Sequence, residues 1–221
     1  MAQIIFVSNF QNKAKQSLFA AHLALVLAEQ SKTALIAAQN EKLEMFLAKR
    51  HHFNLKNSQN LPVPAYFNYQ RNILNQTADF SFVVLDVDNF DLLRQTDILL
   101  SFADNPKAAN ELSDVKSALS SALWNAKKER GTAGKNAFKH FVIPSLNLDE
   151  PTLEKLQKSA KLAGYILTLP FDLNSTYNQS FETGITFLDK NLSAFKKDFH
   201  EADFFARRDL KKLLEFIWAD K

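Results

Sequence analysis

No cysteine occurs anywhere in the 221 residues. That excludes disulfides, thiolate zinc sites and a cysteine nucleophile, and it suits a reducing, cytoplasmic setting. Glycine is nearly as scarce. There are four, at Gly131, Gly134, Gly164 and Gly184, where an average usage of about 7% would supply roughly four times as many. A loop that converges backbone amides on an anion draws on glycine for its positive φ and absent Cβ. The first 130 residues have none to offer. No apolar run approaches the roughly 18 residues of a membrane span. Met1-Ala2-Gln3-Ile4 has neither the basic stretch nor the cleavage motif of a secretory signal, so none is expected. A net charge of +3 is too small to point to nucleic acid. With no Gly-x-Ser-x-Gly elbow, serine hydrolase chemistry has no support.

What is present is a large apolar complement, 46% of the chain, enough for a sizeable core. Its pattern alternates short apolar runs with helical stretches. Strands are expected over Gln3–Ser8, Thr33–Ala38, Phe80–Val87, Asp97–Ala103, Ala137–Ser145 and Tyr165–Leu169, with a short extended piece at Leu61–Phe67. Helices are expected from about Lys15 to Gln30, Glu41–His51, Gln70–Gln76, a turn at Phe90–Arg94, one long helix Pro106–Arg130, another from Glu150 to Ala163, Ser175–Phe181 and Glu201–Ala219. Such alternation implies a mostly parallel, doubly wound α/β sheet with helices on both faces. With no repeat and no long linker, residues 1–221 read as a single domain.

The first strand, loop and helix, Ile4 to Ser17, occupy the place where α/β folds hold phosphate. The P-loop pattern Gly-x-x-x-x-Gly-Lys-[Ser/Thr] finds only its lysine here, Lys15. Phe80 to Val87 reads as a central strand that delivers Asp86 to the carboxyl edge of the sheet.

Several segments together resemble the ParA/MinD family of deviant P-loop ATPases, most of all its MipZ branch. They are Trp124-Asn125-Ala126-Lys127-Lys128-Glu129-Arg130, the spacing Tyr177, Phe181, Gly184, Thr186, Asp189, the helix around Ala206-Arg207, Leu210 and Leu213, and the strand Asp97-Ile98-Leu99-Leu100. The resemblance spans nearly the whole chain. It implies ATP and magnesium as family cofactors, a nucleotide-sandwich homodimer, and protein partners in chromosome partitioning or division-site placement. The nucleotide motifs depart from the family throughout. Phe10 stands for the signature lysine, Gln11, Asn12 and Ala14 for glycines, and Gln16 for the magnesium-binding hydroxyl. Lys15 and Ser17 remain. Ala37-Ala38-Gln39 replaces an Asp-x-Asp, Asp86-Val87-Asp88-Asn89 keeps one aspartate of Asp-Thr-Pro-Gly, and Ser145 aligns with a base-reading asparagine. Phosphoryl transfer depends on positioning and charge neutralisation, so the expectation is a degenerate, catalytically inactive member. Lys15, Gln16, Ser17 and Asp86 would be its vestigial nucleotide site, with no catalytic residue and no metal. One alternative is a weak ATP-dependent dimerising switch that binds through Lys15, and another is a non-specific DNA- or membrane-surface binder without nucleotide control. In the first case Lys15 is either solvated or paired with Asp86.

The basic run Lys127, Lys128, Arg130, Lys135 and Lys139 reads as a solvated helix end, or as non-specific DNA contacts of the kind the resemblance implies. His51-His52 reads as a surface helix end, since adjacent helical residues cannot chelate one ion together. The last helix mixes aromatics with Arg207, Arg208, Lys211 and Lys212. Packing on the sheet is expected for it in preference to a membrane surface.

Overall fold

The computed structural model describes residues 2–9, 12–114, 116–173, 175–189 and 201–219. Phe10 and Gln11, two of the departures noted above, lie outside the described residues. Seven parallel strands form one sheet: β1 (Gln3–Ser8), β2 (Thr33–Ala37), β3 (Ala65–Asn68), β4 (Phe82–Asp86), β5 (Ile98–Ala103), β6 (Lys139–Pro144) and β7 (Ile166–Leu167). Their order is β3-β2-β4-β1-β5-β6-β7, and every described pairing is parallel. The central strands are apolar runs because both faces are covered by helices.

The helices are α1 (Lys13–Ala28), α2 (Glu41–Asn57), α3 (Pro106–Ser113), α4 (Ala118–Thr132), α5 (Glu150–Ala163), α6 (Ser175–Thr183) and α7 (Glu201–Ala219). One core unites α1, α2, α6 and α7 with one face of the sheet. The other unites α3, α4 and α5 with the opposite face. The fold is therefore a doubly wound α/β sheet with helices on both faces, as the alternation requires. α7 turns Ala206, Leu210, Leu213, Leu214 and Ile217 into the first core, so its apolar face is occupied by the sheet. No described helix is long and apolar enough to cross a membrane.

Three local expectations are corrected. The long helix Pro106–Arg130 is two helices. Asp114 accepts Lys116 N at 2.9 Å, and Ser117 caps α4 by accepting Ser120 N at 3.1 Å. Short polar side chains of this kind compete with the helix for backbone donors and break it. α2 runs on to Asn57 and ends at Ser58 in the left-handed region (φ 50°), so His51 and His52 lie inside the helix, on its exposed side. The extended piece begins later than expected, at Ala65. Residues 61–64 are instead held by side chains: Asn54 exchanges two 2.9 Å hydrogen bonds with the backbone of Leu61, and Arg50 Nε donates to Pro62 O at 2.6 Å.

Candidate functional site

β1 lies between β4 and β5, and the chain winds outward from it in both directions. Ligands of open α/β sheets sit at such a switch point, outside the carboxyl ends of the strands. Here that edge carries Ser8 and Asn9 after β1, Asp86 and Asp88 at the end of β4, Asp104 after β5, Ser145 after β6 and Asp172 beyond β7.

The loop before α1 is built from amide side chains. Asn9 Oδ1 accepts Asn12 N at 3.0 Å, and Asn12 Oδ1 accepts Lys15 N at 3.1 Å as the helix cap. Gln16 is buried and bridges two elements: its Oε1 accepts Asn9 N at 2.9 Å, and its Nε2 donates to Asp86 Oδ1 at 2.9 Å. Among the described residues, three backbone donors of the kind a phosphate-binding loop points at its anion, those of Asn9, Asn12 and Lys15, are thus taken up by side-chain oxygens.

Of the two fates expected for Lys15, the pairing with Asp86 is corrected. The lysine Nζ lies 3.5 Å from Asp104 and 3.8 Å from Asp172. Asp104 also accepts Asn9 Nδ2 at 2.6 Å. Asp172 is aimed by Ser145 Oγ at 2.9 Å, Leu146 N at 3.1 Å and Asn147 Nδ2 at 3.3 Å. Ser145 therefore orients a carboxylate. Asp86 is held by Gln16 and by Ser17, and burial pushes its carboxyl above the usual range while those hydrogen bonds pull it back. Ser17 Oγ also accepts Asn40 Nδ2 at 2.9 Å, which ties it to the cap of α2. Lys13, at the first position of α1, forms an ion pair with Asp88. Burial lowers its pKa, against the pull of Asp86.

The edge thus gathers four carboxylates (Asp86, Asp88, Asp104, Asp172) around two ammonium groups (Lys13, Lys15). Chemically it neutralises itself and leaves a surplus of negative charge. Among the described residues no group of three or more acidic or histidine side chains is arranged to hold a metal.

The basic run divides. Arg130 is not a surface residue: it is 5% exposed, with Nε donating to Asn136 O at 2.8 Å and Nη2 meeting Asp97 at 3.2 Å. Lys127 Nζ donates to Gly164 O at 3.1 Å. Lys128 lies 5.6 Å above the Trp124 ring, and Lys135 is exposed.

A second buried polar centre escaped the sequence reading. Arg50 and Asp189, each with a side chain 1% exposed, form a buried ion pair. Arg50 Nη1 also donates to Gly184 O at 3.1 Å, and Asp189 accepts Thr186 N at 2.8 Å. Beside it His22 donates Nδ1–H to Leu18 O at 2.8 Å and lies among Phe46, Tyr177, Phe181 and Phe187. Gly184 has φ +77°, and a Cβ there would fall 2.8 Å from Arg50 N. The spacing Tyr177, Phe181, Gly184, Thr186, Asp189 is therefore a packing device that fastens α6 to α2.

The chain matches no protein-family model and no curated protein. Solved structures do share its fold. Apo McdA from Cyanothece superposes with a TM-score of 0.59 at 14% identity, covering 97% of this chain and 98% of that one. An ATP complex of a McdA variant from Cyanothece gives 0.54, at 14% identity and 96% coverage of each chain. A plasmid partition protein from Borrelia burgdorferi gives 0.48 at 15% identity, over 83% of this chain and 96% of that one. At these identities the two McdA superpositions establish the fold alone.

Proposed function

We propose that this chain is a degenerate relative of the ParA/MinD-type ATPases, related to the MipZ branch, which acts in the cytoplasm through protein contacts and does not hydrolyse ATP. Chromosome partitioning or division-site placement is the setting the resemblance suggests. The fold shared with McdA supports the ancestry. One observation carries the loss of chemistry: Lys15 is already engaged by Asp104 and Asp172, while the donors of the loop are accepted by Asn9, Asn12 and Gln16.

These residues do not fit a magnesium nucleotide. A triphosphate would have to displace two carboxylates from the lysine and then sit beside them. Magnesium would find an amide, Gln16, where a hydroxyl is needed, and an amide already bonded to Asp86.

The competing reading is an ATP-dependent dimerising switch. It is favoured by the survival of Lys15 at the start of α1, with 30% of its side chain exposed. Thermal melts with and without millimolar Mg-ATP, together with a turnover assay, separate the two. No stabilisation and no turnover are expected. ATP turnover that disappears in Lys15→Ala would overturn the proposal.

A further inference from the structure

An open groove of about 560 Å³ runs between α4 and the C-terminal end of α5. Leu123, Trp124, Leu162 and Ala163 contribute its apolar lining, and Lys127 is the single charged side chain among the lining residues. Trp124 is 64% exposed and Leu162 81%. Two large apolar groups facing water across one groove are unusual for a solvated surface, where such residues occur singly. The rim is basic. Lys128 stands over the Trp124 ring. On α5, Lys161 is the neighbour of Leu162 in sequence, and Lys158, one helical turn before it, is paired with Glu154 at 2.8 Å.

We propose that this groove docks an acidic helical segment of a partner protein, anchored by leucine or phenylalanine side chains between Trp124 and Leu162. The apolar floor needs an apolar anchor, and the lysine rim selects carboxylates around it. Nucleic acid fits less well. Leu162 and Ala163 offer no stacking surface beside Trp124, and Arg130 is turned inward. The inference names the partner class for the contact function proposed above and rests on that reading.

The test is fluorescence anisotropy at low salt with a labelled peptide of about four helical turns, leucine and phenylalanine on one face and glutamate on the other. Saturable binding is expected. It should weaken about tenfold or more in Trp124→Ser and in Leu162→Ser, weaken with added salt, and be absent for the same peptide with lysine in place of glutamate. Both substitutions are at exposed positions, and circular dichroism checks that each variant is folded. The proposal falls if the acidic peptide shows no saturable binding, or binds both variants as tightly as the wild type. It falls equally if a single-stranded oligonucleotide competes for the same groove, or if the groove mediates self-association that both variants abolish. Because binding is read without nucleotide, its failure leaves the ATP result untouched, and ATP turnover would leave the peptide result untouched.

Discussion

Replacing Asp104 and Asp172 together by asparagine should turn Lys15 into an anion-binding group. The lysine side chain is 30% exposed and the carboxylates 9% and 18%. At an effective dielectric of about 20, a unit charge about 4 Å away contributes about 4 kcal/mol before solvent screening. Discounting for exposure leaves about 1 kcal/mol per contact. An incoming phosphate must displace both contacts and then endure repulsion of about the same size from each carboxylate, a handicap of roughly 3–4 kcal/mol. At about 1.4 kcal/mol per decade, the double variant should bind inorganic phosphate or ATP about 10²–10³-fold more tightly than the wild type. Asparagine keeps an oxygen to accept Asn9 Nδ2 and Ser145 Oγ, so the loop should hold its shape. Isothermal titration in EDTA measures the effect without magnesium, and circular dichroism confirms the fold. A folded double variant with unchanged affinity would refute the reasoning. So would a wild-type chain that already binds phosphate at micromolar concentration.

Three further outcomes follow from the buried groups. Burial pulls His22 down to about 4 and His140 down to about 3. The unfolded chain takes up these protons near the ordinary histidine value of about 6.5, so the stability they protect is complete above that pH and is lost as pH falls toward the folded values. By about pH 4.5 each should cost about 2–3 kcal/mol, offset in part by Asp86, whose carboxyl burial pushes up. Urea midpoints that do not move between about pH 7 and about pH 4.5 would contradict this. Gly184→Ala should destabilise by about 2–4 kcal/mol through positive φ and the collision with Arg50 N, and Asp189→Asn by about 3–5 kcal/mol by leaving Arg50 buried without its counter-ion. Chemical denaturation reads both, and a loss below about 1 kcal/mol in either would mean that α6 is not fastened to α2 as described.

The strands were legible because a parallel strand buried on both faces must be an apolar run, and Val83-Val84-Leu85 leaves no other reading. Gly164 and Asp149 announced the two ends of α5 and hold them as expected, with φ +69° at the glycine and Asp149 accepting Thr152 N. The helix break at Asp114 and Ser117 is a local signal that was passed over, whereas the site was misread where partners lie far apart in sequence. Nothing periodic links Lys15 to Asp172. The rule that singled out Asp86, a carboxylate at the end of a strand, extends to Asp104, which directly follows β5, but not to Asp172, which lies beyond the end of β7. Arg130 was obscured by the lysines around it. Its helical neighbours at preceding turns, Leu119, Leu123 and Ala126, are all buried, and that spacing turns residue 130 inward with them. The buried pair of Arg50 and Asp189 had no local signal, because a charge is read as solvent-facing until its counter-ion is known.

On the function proposed above, the shared fold and the proposed loss of nucleotide chemistry would have one physical origin. A phosphate-binding loop that loses its glycines and its ligand leaves converging backbone donors facing an empty, partly buried space. Each unsatisfied donor costs about 1–3 kcal/mol, so the vacancy cannot simply persist. In this chain the donors of Asn9, Asn12 and Lys15 each meet a side-chain oxygen from within the same loop or from α1, and the lysine meets two carboxylates. For those three described donors the side chains act as a plug. That plug keeps α1 seated on β1, and through Gln16 on β4, while the Arg50–Asp189 pair keeps α6 on α2. Polar interactions that an ATPase would use to sense its nucleotide here fix one arrangement of the sheet and its helices. A scaffold held in one state can still present a surface, so selection on such a chain would act on exposed features such as Trp124 and Leu162, which the plugged edge does nothing to explain.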